Sequence, residues 1–135
     1  MSVSWYIQAY SNGGEQFVPL DKILFTLSAY QSKTEEDCIV VSLPEGNVDL
    51  YVNFLDEISN LCISRPIKSI TLYRIIFEIM KCGNFIFFAP DAQFPIILND
   101  AVINHLPEGM LTALGKPKIA NSFESFSSFL HEMYA

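Results

Sequence analysis

The stretch Val48-Asp49-Leu50-Tyr51-Val52-Asn53-Phe54 alternates without a break: Val48, Leu50, Val52 and Phe54 fall on one side, Asp49, Tyr51 and Asn53 on the other. A β-strand turns successive side chains to opposite faces, so a period of two means one buried face and one wet face. The segment therefore belongs to a sheet whose second face sees solvent. Immediately before it, Pro44-Glu45-Gly46-Asn47 carries turn chemistry. Further back, Cys38-Ile39-Val40-Val41-Ser42-Leu43 is apolar on both faces, which predicts a central strand.

Working outward toward the start, Gln31-Ser32-Lys33-Thr34 is a polar link leading into the acidic cluster Glu35-Glu36-Asp37. Before the link, Leu20, Ile23, Leu24, Leu27 and Tyr30 recur at helical steps, and Pro19 is allowed in a first turn, so a helix is expected over 19–30. Val3 to Tyr10 reads as a first strand that stops at Ser11-Asn12-Gly13-Gly14. Toward the end, Leu61-Cys62-Ile63 gives a further strand, and Arg65-Pro66 closes that half. Ser69 caps a helix whose stripe, Ile70, Tyr73, Phe77 and Met80, is widened by Leu72, Ile75, Ile76 and Ile79. That width predicts the most buried helix. Gly83 supplies a left-handed residue past its end, and Asn84 to Phe88 starts a strand. Pro90-Asp91-Ala92-Gln93 turns the chain into a return strand at Phe94–Leu98, where Pro95 argues for an edge position. A short helix at Glu108–Leu114, an extended link at Lys116–Ala120 and a capping box at Asn121-Ser122-Phe123-Glu124 follow. The last helix has the stripe Phe123, Phe126, Phe129, Leu130 and Met133. This order predicts one α+β domain over residues 1–135: a mainly antiparallel or mixed sheet of about five to six strands packed against three to four helices.

Composition agrees with a folded domain. Half of the 135 residues are apolar, 13% are aromatic and 17% are charged. No apolar run approaches the roughly 18 residues that would span a bilayer. The start, Met1 to Tyr6, lacks the basic region and apolar core of a secretory signal, so a cytoplasmic protein is expected. Cys38, Cys62 and Cys82 are odd in number, widely spaced and set among aliphatic residues, which suits buried thiols in a reducing compartment better than a disulfide framework or a zinc site.

Charge is the strongest functional signal. The chain carries a net charge of −7, and no base occurs between Lys33 and Arg65, while Thr34 to Ser64 holds Glu35, Glu36, Asp37, Glu45, Asp49, Asp56 and Glu57. Residues 1–64 carry nine acids and two bases, whereas residues 65–135 carry six of each. One end thus generates nearly all of the electric field, which attracts a cationic partner and repels a phosphate backbone. Direct nucleic-acid binding is disfavoured: the only basic series is Arg65, Lys68, Arg74 and Lys81.

No motif names a reaction. Gly13-Gly14 lacks the context of a phosphate loop. Asp91, Asp100, His105 and Glu108 lie close in sequence and would be the place for an acid–base or metal site, although each has a simpler reading as turn or loop chemistry. The expectation is therefore no catalytic residues, no metal and no cofactor. A tyrosine between carboxylates on an exposed strand is instead a good anchor for a basic surface. The candidate partner-binding residues are Glu45, Asp49, Tyr51, Asn53, Asp56 and Glu57, with Glu35, Glu36 and Asp37 adding long-range steering.

From Ile63 onward the chain carries Ser64-Arg65-Pro66, Cys82-Gly83-Asn84, Ala89-Pro90-Asp91, Leu106-Pro107-Glu108-Gly109-Met110, Leu114-Gly115-Lys116-Pro117 and Asn121-Ser122-Phe123-Glu124. In these stretches it resembles small bacterial immunity proteins that accompany secreted polymorphic toxins, including those of contact-dependent growth inhibition. The resemblance implies a non-enzymatic cytoplasmic inhibitor that binds one toxin domain, often a cationic nuclease, at or over its active site. It transfers no individual site residue. Two alternatives stay open: a regulatory module that self-associates along the Asp49–Phe54 strand edge, and a small enzyme with a site near His105.

Overall fold

The computed structural model describes residues 3–134. The chain runs β1 (Trp5–Ser11), β2 (Gly14–Glu15), β3 (Val18–Pro19), α1 (Leu20–Leu27), β4 (Ser32–Thr34), β5 (Cys38–Leu43), β6 (Gly46–Tyr51), β7 (Glu57–Ile58) and β8 (Asn60–Ser64). It continues with α2 (Ile70–Met80), β9 (Phe85–Phe88), β10 (Ile96–Ile97), a 3-10 helix (Asp100–His105), α3 (Met110–Leu114), β11 (Lys118–Ile119) and α4 (Phe123–Tyr134). The class is α+β, as the order of periodicities predicts.

One nine-stranded sheet has the order β11-β10-β9-β1-β8-β6-β5-β4, with β2 folded back on the end of β1. Every pairing in it is antiparallel except β10 with β11. β3 and β7 form a separate two-stranded ribbon. One face of the large sheet presents Trp5, Ile7, Ala9, Leu50, Leu61, Ile63, Phe85 and Phe87 to buried residues of α1, α2 and α4. Phe85, Phe87 and Phe126 are fully buried there, each worth roughly 1.5–3 kcal/mol relative to exposure. Trp5 meets Phe87 edge-on at 5.5 Å and lies 4.9 Å from Tyr134, so the first strand and the last helix share one aromatic contact.

Among the described residues, the opposite face carries a hydrophobic cap at its β9–β10 end, and Cys38 is buried toward the other. Ile86 and Ile97, on β9 and β10, pack against Val102 and Leu106, with Met110 and Leu111 of α3 alongside. Beyond that cap, Tyr6 and Tyr51 are 37% and 38% exposed.

Several expectations need correction. The strand count is larger than five to six, because β4 and β11 arise from segments read as links, and β2, β3 and β7 have two residues each. The segment Cys38–Leu43 is a strand with the expected bounds, but it lies next to the β4 edge, and the middle of the sheet belongs to β1 and β8. β10 is not an edge strand: Pro95 precedes it, and the Pro95 carbonyl accepts from the Lys118 N–H at 2.9 Å, recruiting β11 beyond it. Gly83 has no positive φ.

Candidate partner-binding face

The uncovered face is built by strand register. Phe88 pairs with Tyr6, Tyr6 with Cys62, Cys62 with Tyr51, and Tyr51 with Cys38. Directly paired residues point to the same side, so these five side chains form one row across β9, β1, β8, β6 and β5. Tyr6 stacks on Phe88 with centroids 5.6 Å apart and planes 20° apart. The parallel row two residues away is Ser64, Asp49, Val40 and Lys33. Trp5, Ile7, Leu50 and Ile63 occupy the alternate positions and face the helices.

The acidic hairpin reaches this face. Glu35-Glu36-Asp37 joins β4 to β5, with the Glu35 N–H donating to the Cys38 carbonyl at 2.8 Å. Because Cys38 is the register partner of Tyr51, the hairpin tip stands beside the end of β6. The electrostatics agree. Burial raises the Cys38 thiol pKa first, and the carboxylates of Asp49, Asp37 and Glu35 raise it further. The Tyr51 hydroxyl is also raised, by desolvation and then by Asp49, Cys38 and Asp37, while Arg65 pulls it the other way. Arg65 leaves β8 at φ 52, a left-handed conformation that costs a non-glycine residue about 1–2 kcal/mol. A tyrosine ring beside two carboxylates, Asp49 and Asp37, with a thiol on each side in register, has the chemistry to meet a basic protein group.

The six residues named from sequence do not all meet. Asp49 and Tyr51 share the open face, and exposed Asn53 follows the end of the same strand. Glu45 sits on the β5–β6 turn, four residues from Asp49 and so roughly 13 Å away along the strand. Asp56 and Glu57 lie at the start of α1, where the Asp56 carbonyl accepts from the Leu20 N–H at 2.9 Å and Glu57 pairs with Pro19. Phe17 and Leu55, the residues just before Val18 and Asp56, are exposed there at 56% and 65%. Tyr6 and Cys62 were not among the sequence candidates. The alternation of β1 places Tyr6 away from the Trp5 side, but only the pairing of distant strands sets it beside Cys62 and Tyr51.

The region around His105 has a structural explanation. His105 Nδ1 accepts from the Asn12 N–H at 3.2 Å and its carbonyl accepts from the Gly13 N–H at 3.0 Å, fastening the β1–β2 turn to the 3-10 helix. Asp91 is engaged elsewhere, accepting from the Tyr134 hydroxyl at 3.0 Å. Among the described residues no three His, Cys, Asp or Glu side chains gather as a metal-holding group, and no helix is long and apolar enough to cross a membrane. The three cysteines are free. Self-association along the Asp49–Phe54 strand has no edge to use over Asp49 to Tyr51, since β6 is flanked by β5 and β8.

Comparison of the chain with protein-family models, with curated proteins and with solved structures finds no match.

Proposed function

We propose that this chain binds and neutralises a cognate toxin domain with a basic surface, acting as an immunity protein of the contact-dependent or polymorphic toxin class, with no catalytic step of its own. The observation that carries the reading is the uncovered row of Tyr6, Cys62 and Tyr51 bordered by Asp49, Asp37 and Glu35. A domain that handles nucleic acid presents positive charge where phosphates bind, and carboxylates at a similar spacing occupy the same field. The tyrosines supply rigid apolar area with a hydrogen-bonding tip, and the carboxylates supply orientation and rate.

The test is to look immediately upstream for a gene encoding a large secreted protein with a variable C-terminal domain, and to co-express the chain with that domain. Wild-type chain restores growth. The combined Glu35→Lys, Asp37→Lys and Asp49→Lys variant associates at least tenfold more slowly at low salt, and the difference narrows once the Debye length falls below about 8 Å. Absence of rescue by the wild type rejects the function. Rescue with charge-insensitive association rejects the acidic face.

A further inference from the structure

A groove of about 600 Å³ runs between α2 and α4, on the helix-covered side of the sheet. Its walls include Lys68, Ile70 and Arg74 on one side and Phe123, Ser127 and His131 on the other. The two helices run antiparallel: Phe123 packs on Phe77 at 5.9 Å, while Trp5 lies 6.3 Å from Tyr73 and 4.9 Å from Tyr134. The last turn of α4, bearing His131, therefore stands beside the first turn of α2, where Lys68 precedes the cap Ser69. Within the eleven-residue α2, the Ser69 hydroxyl accepts from the Leu72 N–H at 3.2 Å. The Ile70 and Thr71 N–H groups have no intrahelical acceptor, which adds positive potential at this end.

The cations are available. The Arg74 guanidinium lies 3.7 Å over the Phe123 ring, and its carboxylate neighbour, Glu78, is 3.8 Å away, beyond hydrogen-bonding distance. Among the described residues Lys68 has no carboxylate partner within 4.0 Å. Ile70, 62% exposed, presents a bare aliphatic surface beside these charges. Glu124 is the acid on the wall, and it lies two helical turns from His131, about 10 Å along the axis, which leaves the Lys68 end cationic.

From this convergence we infer that the groove binds an acidic peptide segment carrying a large apolar side chain. The carboxylates of such a segment meet Lys68, Arg74 and His131, and its apolar side chain covers Ile70 and the Phe123 ring. The space exceeds a lone anion and suits a few residues of chain. Charge complementarity also selects the site, because the field of the acidic half repels such a ligand from the Tyr51 face and leaves this groove as its docking place.

The test is a nitrogen-15 NMR titration of the full chain with the synthetic peptide acetyl-Glu-Glu-Phe-Glu-Glu-amide, with its lysine counterpart and sodium phosphate as controls. The expected result is shifts of the Ile70, Thr71, Arg74, Ser127 and His131 amides, weakened by salt and reduced at least tenfold in affinity by Arg74→Glu. Lys68→Glu, outside the helix and away from the Phe123 contact, gives the same direction without disturbing packing. The proposal is overturned by silence at millimolar peptide, by shifts centred elsewhere, by an equal response to the lysine peptide, by indifference to Lys68→Glu, or by the same response to phosphate alone.

Discussion

A Cβ on Gly83 would lie 2.7 Å from Gln16 Oε1 and 2.8 Å from Val18 Cγ1. Gln16 Oε1 accepts from the Asn84 N–H at 2.6 Å, so glycine is required by the close approach of the α2 exit to the β2–β3 connection. Its place after a helix suggested a left-handed cap, and the true reason, a neighbour 67 residues earlier, has no local signature. Gly83→Ala is expected to destabilise by about 1–3 kcal/mol, through overpacking against Val18 and loss of the Gln16 bond. A urea midpoint unchanged from wild type would refute this. Tyr134 acts at the other end of the core. Burial and then its hydrogen bond to Asp91 raise its hydroxyl pKa well above the usual tyrosine value. The unfolded chain titrates near 10, so this contribution is intact below that pH and declines as pH rises toward the folded value. Tyr134→Phe should flatten the fall of melting temperature between pH 9 and 11, with Tyr73, raised by burial, keeping part of the slope. An identical alkaline slope would exclude the linkage.

At the scale of elements, side-chain caps were legible where a hydroxyl precedes an apolar run. Ser69 caps α2 as its sequence position indicates, and being buried it leaves the Leu72 N–H without an acceptor if removed. Ser69→Ala should cost about 1–2 kcal/mol, read from the thermal midpoint, and a loss near zero would mean water replaces the hydroxyl. The capping box of α4 lies one residue later than the Asn121–Glu124 reading. Ser122 Oγ accepts from the Ser125 N–H at 3.2 Å, and Ser125 Oγ accepts in return from the Ser122 N–H at 3.3 Å. A serine performing the task usual for Glu at that position hid the register. β5 and β8 were found because their apolar runs exceed one period. β4, with three exposed residues, looks like linker by composition, and its strand character comes from pairing with β5. The return strand read at Phe94–Leu98 shortens to Ile96–Ile97, and two-residue β11, read as a link, contains no period at all.

For the whole molecule, the sequence separated a wet face from a dry one on β6 but not what lies on either side. Asp49 and Tyr51 were identifiable from alternation alone. That Tyr6 and Cys62 complete the row depends on β8 and β1 stacking next to β6, a consequence of long-range register. The acidic cluster at 35–37 was read as steering only. Its hairpin, paired opposite the end of β6, brings it against Tyr51, while Glu45 goes to the far turn and Asp56 and Glu57 to the α1 corner. This geometry ranks the candidates, with Tyr51 inside the row that forms the proposed docking face and Glu45 outside it. The decisive measurement is calorimetric affinity for the proposed toxin-domain partner, compared between Tyr51→Ala and Glu45→Ala. The account predicts that Tyr51→Ala loses about 2 kcal/mol or more, roughly thirtyfold in Kd, while Glu45→Ala changes Kd by less than about threefold. Wild-type affinity in Tyr51→Ala would contradict docking on the open sheet face.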